Sequence, residues 1–167
     1  AECRARRGGL SPTQFMDSLG LFDYGGGGFH CVWLDERDIE IFKRRGLWAV
    51  TCPGSNAKLA SGIMPLQRYM DEGMNLAIGT DGASSNNALD MFREMYLACV
   101  LQKLKTGDAA AAPADNILRM ACSGGALAMG LTDCDCLAVG KQADMIVIGL
   151  NRPSMRPLNA VAKNLVY

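Results

Sequence analysis

One histidine and one aspartate are the residues of this sequence best placed to do chemistry. His30 is the only histidine and falls in the run Phe29–Leu34, which predicts a short strand. Asp81 follows a second apolar run, Asn75–Thr80, which predicts a buried strand that stops at an acidic residue. An imidazole and a carboxylate at neighbouring strand ends could bind a metal ion, orient water and move protons. Taken singly, each has a simpler interpretation: His30 could be a histidine of the core, and Asp81 could cap a helix.

The stretch after Asp81 is small and polar and reads SSNN. It is most simply a turn that begins a helix, but Ser84 and Ser85 could also face a ligand because they lie so close to Asp81. One histidine and one aspartate are too few for a catalytic zinc site, which usually has three protein ligands. Cys134 and Cys136 have no second pair at zinc-finger spacing and fall in a predicted loop, so a metal site there is poorly supported.

The elements that must position these residues alternate between strands and helices. Capping signals predict helices that begin at Ser11 and at Asp35, the second of which ends at Gly46. This alternation predicts an α/β fold whose parallel strands present their carboxyl ends on one side, with too few strands to close an eight-stranded barrel. The other predicted elements are a strand over Leu47–Cys52, helices over Met64–Glu72, Leu89–Lys103 and from Pro113, and a last strand over Ala143–Leu150.

Composition limits the class of protein. The 167 residues suit one domain or a large piece of one, and 17 basic residues balance 17 acidic ones. This balance gives no electrostatic case for nucleic acid or an anionic membrane as a partner, and no apolar run reaches membrane-spanning length. Seven cysteines, an odd number, favour a reduced, cytoplasmic protein. The chain starts without the apolar region of a signal peptide and without Met, which predicts a processed chain or a fragment.

Three motifs carry a resemblance to a known family. They read PGSNAKLASG from Pro53, GTDGASSNN from Gly79 and VGKQADMIVI from Val139, and they follow the family's order and spacing within a match from Ser11 to Tyr167. In these motifs the chain resembles the amidohydrolase superfamily, in its branch of deaminases that act on S-adenosylhomocysteine and 5′-methylthioadenosine.

The resemblance implies a fold and a domain organisation. The family fold is a (β/α)8 barrel with a small β-sandwich. We therefore expect residues 1–142 to be a partial barrel of about strands six to eight, and residues 143–167 to begin the C-terminal sandwich. The family's His-x-His pair and its further His and Glu are absent, which predicts that this chain is the C-terminal portion of a longer protein. Many relatives have a histidine where Thr51 stands.

The resemblance also implies a reaction, a cofactor and partners. A divalent metal, usually zinc, activates a water that attacks the amino-bearing ring carbon of an adenosine-type small molecule, and ammonia leaves. Asp81 matches the metal-binding aspartate that also shuttles the proton. His30 matches the histidine that faces the water and the substrate ring. The complete protein is expected to be a homo-oligomer.

Two alternatives stay open. Within the superfamily, the substrate could be a guanine-type base or a chlorinated triazine. In a different class, the chain would be a non-catalytic partial barrel that pairs with its missing half or with another copy through unpaired strand edges. In either case we expect the 167-residue chain not to turn over alone.

Overall fold

A small parallel sheet lies at the centre of the fold. The computed structural model describes residues 2–167. The strands β1 (Gly27–Phe29), β2 (Trp48–Thr51) and β3 (Asn75–Ile78) pair in the order β1-β2-β3, and both pairs are parallel. In the register of the first pair, Gly27 lies opposite Trp48. The carboxyl ends of the three strands therefore share one edge of the sheet, as the alternation of strands and helices predicts.

Helices surround this sheet and follow each strand. They are α1 (Glu2–Arg6), α2 (Pro12–Ser18), α3 (Glu36–Arg45), α4 (Pro53–Lys58), α5 (Leu66–Asp71), α6 (Ala83–Asn86), α7 (Met91–Thr106), α8 (Ala114–Arg119), α9 (Gly125–Ala128) and α10 (Val161–Val166). A π-helical turn, Met120–Gly124, joins α8 to α9, and a 3₁₀ turn, Pro153–Met155, precedes α10. None of the helices described over residues 2–167 is both long and apolar enough to cross a bilayer.

The helix starts predicted at Ser11 and Asp35 are both confirmed. The Ser11 hydroxyl accepts the Gln14 N–H, and the Gln14 side chain accepts the Ser11 N–H. Asp35 forms the same reciprocal cap with Asp38 at the start of α3, and Gly46 ends that helix in the left-handed conformation. The buried Asp38 carboxylate also accepts a hydrogen bond from the Ser11 hydroxyl. The N-termini of α2 and α3 are therefore held together.

The core packs around β2 and beneath α7. Ala49 of β2 is completely buried, and so is Tyr69 of α5, whose hydroxyl donates to the Cys31 carbonyl at 3.0 Å. On α7, Met95 and Cys99 are buried, as their helical spacing predicts. Other apolar positions on the same helix, such as Tyr96, stay about half exposed.

The strand predicted over Phe29–Leu34 is wrong beyond its first residue. β1 occupies Gly27–Phe29, and the chain leaves the sheet at His30, whose backbone is left-handed with φ 67°. A left-handed residue cannot continue a strand ladder. The apolar pattern predicted the wrong residues because those that pair with β2 are mainly glycines, which carry no strand signal. A Cβ on Gly27 would lie only 2.2 Å from the carbonyl oxygen of Trp48, so this close approach requires glycine.

The strand predicted over Ala143–Leu150 is also wrong, whereas the return of this segment to a sandwich stays a prediction. The segment has no regular secondary structure, and Ile146 and Val147 are 73% and 96% exposed. A strand needs a neighbour for its N–H and C=O groups, and the sheet within residues 2–167 contains only β1, β2 and β3. The run has the composition of a strand but no partner here. A domain division at residue 143 stays a prediction.

The contact between the π-helical turn and β3 gives a test of the packing. A Cβ on Gly124 would lie 2.6 Å from the carbonyl oxygen of Leu76, whereas a Cβ on Gly125 would find its nearest neighbour 4.0 Å away. We expect Gly124→Ala to lower the free energy of unfolding by about 1–3 kcal/mol, because the added methyl must displace backbone. The control Gly125→Ala should change it by no more than about 1 kcal/mol, in the stabilising direction. Urea unfolding measures both, and equal values would contradict this packing.

Candidate functional site

Three loops at the carboxyl edge of the sheet bring the candidate residues together. His30 follows β1 directly, and Asp81 lies three residues beyond the end of β3. Ser55 and Asn56 lie in α4, which begins two residues after β2. Because the strands are parallel and adjacent, these three connections meet at one edge, with α4 between the other two.

The imidazole of His30 is held in one orientation by Asn56. Its Nδ1 lies 2.8 Å from the Asn56 Oδ1. An amide oxygen only accepts, so Nδ1 carries the proton and donates it. The other nitrogen, Nε2, then has a free lone pair in the neutral ring, and it lies 3.8 Å from the Asp81 Oδ2. That distance is too long for a hydrogen bond. The two side chains are 41% and 32% exposed, so the space beside them is open to a ligand.

The Asp81 carboxylate is held by donors that favour its charged form. The Ser55 hydroxyl donates to Oδ2 at 2.6 Å, and the Gly82 N–H donates to Oδ1 at 2.7 Å. These bonds lower the pKa of Asp81 from 3.8 to about 2. The bond from Ser55 has the largest effect, and Ser85 and His30 contribute less than Ser55 and Gly82. The carboxylate is therefore ionised at any pH at which the protein is expected to work.

Both candidate residues have strained backbone. Asp81 has φ 61° and His30 has φ 67°, in the left-handed region that residues other than glycine rarely adopt. Histidine and aspartate are among the side chains that tolerate this region best. Such residues often lie at functional sites, where the surrounding structure holds them in place. In this structure, Asn56 and Ser55 are the groups that hold them.

The two serines after Asp81 are placed differently. Ser85 lies close to the carboxylate, and its hydroxyl donates to the Gly82 carbonyl at 3.0 Å. Ser84 is exposed on α6, and its carbonyl accepts a hydrogen bond from Lys58 Nζ at 2.9 Å. Contacts of either serine with a substrate stay predictions. Thr51, where many relatives have a histidine, is the buried last residue of β2.

Sequence reasoning missed Ser55 and Asn56 as members of the site. Both are buried residues of α4. The signal was available, because two polar residues follow closely after the end of β2, as His30 and Asp81 follow β1 and β3. Because the first strand was predicted to run on to Leu34, the sequence did not show that polar residues follow the ends of all three strands.

A buried carboxylate lies beneath the site and was also missed. Glu94 of α7 is completely buried. Its Oε2 accepts the Gly54 N–H at 2.7 Å, and its Oε1 accepts from the Asn86 side-chain amide at 2.8 Å. The same Asn86 nitrogen donates to the Thr80 carbonyl at 2.6 Å. Glu94 falls inside an apolar helix pattern, where nothing in the sequence marks it for this position.

Asp81 and His30 could supply part of a metal site. Each Asp81 oxygen accepts one hydrogen bond and keeps a second lone pair, so the carboxylate can still ligate a cation. Over residues 2–167, no group of three His, Cys, Asp or Glu side chains could hold a metal ion. The residues therefore fit zinc in ligand type but fall short of the three protein ligands of a catalytic site. Further ligands would have to come from outside this chain.

Parallel strands that collect a carboxylate, an imidazole and their hydrogen-bond partners at the carboxyl edge define an α/β protein with an enzyme-like site. The sequence model described as the amidohydrolase family matches residues 4–166. The chain therefore belongs to the amidohydrolase family, as its motifs predict.

Known proteins similar to this chain are much longer than it. The 5-methylthioadenosine/S-adenosylhomocysteine deaminase of Pelotomaculum thermopropionicum is 45% identical over 159 residues, 95% of this chain and 37% of that protein. A crystal structure of an adenosine deaminase from Xanthomonas campestris with bound zinc matches with a TM-score of 0.92 and 41% identity, over 99% of this chain and 38% of that one. The zinc complex of the atrazine chlorohydrolase TrzN from Arthrobacter aurescens TC1 matches with a TM-score of 0.90, over 98% and 36%, at 23% identity, which shows the fold alone. The chain thus spans less than two-fifths of each of these proteins.

The hydrogen bond from Ser55 to Asp81 can be tested by titration. Because this bond is the largest cause of the low pKa of Asp81, Ser55→Ala should raise that pKa from about 2 toward 3.8. Ser85→Ala is the matched control and should raise it less. The measurement is a carbon-13 NMR titration of the carboxyl group in metal-free protein. A larger rise in the Ser85 variant would contradict the assignment.

The same pKa has a consequence for acid stability. A carboxylate whose pKa is lowered by folding stabilises the folded state above its ordinary pKa, and this contribution is lost as the pH falls through the folded value. For Asp81 the loss runs from about pH 3.8 down to about pH 2. The contribution should be smaller in the Ser55→Ala variant, which is therefore expected to show a weaker dependence of its unfolding free energy on pH in this range.

Proposed function

We propose that this chain is part of a metal-dependent hydrolase that deaminates adenosine-type compounds. The observation that carries the proposal is the pair at the carboxyl edge of the sheet, where the His30 Nε2 faces the ionised Asp81 carboxylate. Similarity to a deaminase of 5-methylthioadenosine and S-adenosylhomocysteine, at 45% identity, supports the substrate class. In the reaction, the oxygen of water adds to the amino-bearing ring carbon, the C–N bond breaks, and the nitrogen leaves as ammonia with one proton of the water. The other proton of the water ends on the adjacent ring nitrogen of the carbonyl product.

In this chain the metal would be held by Asp81, whose carboxylate is ionised and keeps free lone pairs. A bound zinc ion lowers the pKa of a water ligand to near neutrality and so supplies a nucleophile. The remaining ligands would come from the region of the complete protein that corresponds to the part of its relatives not matched by this chain. We propose that the three strands are about the sixth to eighth of a (β/α)8 barrel.

Asp81 is suited to pass a proton on. Its carboxylate accepts the proton of the attacking water, and the Ser55 bond that keeps its pKa low makes the protonated form short-lived. The proton therefore moves readily to the departing nitrogen, which is a much stronger base. In this role Asp81 is a shuttle and does not store the proton.

His30 is suited to orient the water and the substrate ring. The hydrogen bond to Asn56 keeps the proton on Nδ1, so the neutral ring presents an acceptor at Nε2. That acceptor can take a hydrogen bond from the water and direct its oxygen toward the ring carbon. The partial exposure of the imidazole leaves one side free for a substrate ring. Ser84 and Ser85 would border the same space.

The setting of the chain is also proposed. Residues 143–167 would begin a C-terminal sandwich, and the exposed apolar segment around Ile146 would pair with strands outside this chain. All seven cysteines are free thiols, which supports a cytoplasmic location. We also propose that the complete protein is a homo-oligomer and that this chain alone does not turn over.

The substrate class can be tested directly on the complete protein. We expect zinc-loaded protein to release ammonia from 5′-methylthioadenosine and S-adenosylhomocysteine. We expect no chloride from a chlorinated triazine and at most slow release of ammonia from guanine. Coupled assays of ammonia and chloride on the same preparation separate these outcomes. Chloride release without ammonia release would overturn the deaminase proposal while leaving the family intact.

The role of Asp81 can be tested by one substitution. Asp81→Asn in the complete protein keeps the size of the side chain but removes its charge and its ability to accept a proton. We expect turnover to fall by about 10³-fold or more, since one group would lose two roles. The control is Asp71→Asn, an exposed carboxylate on α5 that accepts a hydrogen bond from the Gln67 side chain. Near-normal ammonia release by the Asp81 variant would remove Asp81 from the mechanism.

A further inference from the structure

The buried Glu94 carboxylate has hydrogen bonds but no cation. It makes no ion pair with any Lys, Arg or His in the part of the chain that the structure describes. A buried charge without a counter-charge lowers stability unless its hydrogen bonds compensate. An apolar side chain would fit the core face of α7, but it would leave the Gly54 N–H of α4 without an acceptor. The role of Glu94 is therefore set by the two groups that its oxygens bind.

The two oxygens of Glu94 bind the two segments that carry the site. Oε2 accepts from the Gly54 N–H, immediately before Ser55 and Asn56 in α4. Oε1 accepts from the Asn86 amide, whose nitrogen also donates to the Thr80 carbonyl, immediately before Asp81. One carboxylate thus joins the segment that orients His30 to the segment that carries Asp81.

The space around this carboxylate is tight. A Cβ on Gly54 would lie 2.3 Å from the Glu94 Oε1 and 3.0 Å from the Asn86 Oδ1, so only glycine fits at this position without a shift. The Asn86 Oδ1 is buried and has no hydrogen-bond partner among residues 2–167. The amide is therefore oriented by its nitrogen alone, toward Glu94 and Thr80, even though its oxygen stays unsatisfied.

We propose that Glu94 is a positioning residue that sets the separation of the Asp81 carboxylate and the His30 imidazole. It acts through Gly54 on the first turn of α4, and through Asn86 on the backbone before Asp81. The proposal rests on the proposed function, because Asp81 and His30 are its reactive groups. Its expected effect is on metal retention and on the rate of the chemical step, with little effect on substrate binding.

The test is Glu94→Gln in the complete, zinc-loaded protein. The amide keeps the shape of the carboxylate, but its NH2 group must face either the Gly54 N–H or the Asn86 amide, and both are donors. Loss of a hydrogen bond to a charged group corresponds to about a 10- to 100-fold effect. We expect kcat per folded molecule to fall by that factor, KM to change by less than about threefold, and zinc loss to a chelator to become about tenfold faster. The control is Glu72→Gln, a partly exposed carboxylate paired with Lys43, for which all three should stay within about twofold.

A second variant disturbs the same bridge without changing any charge. In Gly54→Ala the new methyl displaces the Glu94 carboxylate, so kcat and zinc retention should fall in the same direction. The double variant should lose little more than the worse single variant, because both break one bridge. The proposal is overturned if either folded variant keeps kcat and zinc loss within twofold of wild type, even with a lower melting temperature.

The Asp81→Asn variant separates this proposal from the proposed function. If Asp81→Asn is inactive while Glu94→Gln is normal, only the positioning role of Glu94 fails. If Asp81→Asn itself keeps normal turnover, the proposed function fails, and the Glu94 proposal fails with it.

Discussion

Two consecutive residues in one helical turn hold both candidate side chains of the site. Ser55 donates to Asp81, and Asn56 accepts from His30. Both belong to α4, which follows the central strand and so lies between the loops that leave the outer strands. The geometry of the pair therefore depends on the start of α4 more than on either outer loop. Glu94, behind that turn, binds its backbone from the core side.

This arrangement concentrates unfavourable local conformations at one edge of the sheet. His30 and Asp81 are left-handed, which costs roughly 1–2 kcal/mol for each residue that has a side chain, and a carboxylate is buried nearby without a cation. Other helix starts have regular caps: the N-termini of α2 and α3 share a hydrogen-bond network around Asp38. The apolar packing around β2 supplies the free energy that keeps the strained edge folded.

Local signals predicted the parts of the fold that local chemistry determines. The caps at Ser11 and Asp35, the glycine end of α3 and the strand patterns of β2 and β3 are confirmed, because each depends on residues close in sequence. The errors at Phe29–Leu34 and Ala143–Leu150 have a different cause. Pairing in a sheet depends on strands that are distant in sequence. At β1 the neighbouring strand β2 approaches so closely that glycine is required. At Ala143–Leu150 no neighbouring strand lies within residues 2–167. His30 was expected near Asp81 because parallel strands present their carboxyl ends at one edge of the sheet. The position of Glu94 depends instead on how α7, which follows β3, packs beneath the site.

The left-handed backbone at His30 and Asp81 separates selection for activity from selection for folding. Glycine would relieve the backbone strain at either position while keeping the turn, so backbone conformation alone would favour glycine there. A chain under no selection for these two side chains should therefore drift toward glycine at both sites before its core changes. Histidine and aspartate retained in left-handed backbone would therefore mark selection for the side chains themselves and not for the fold.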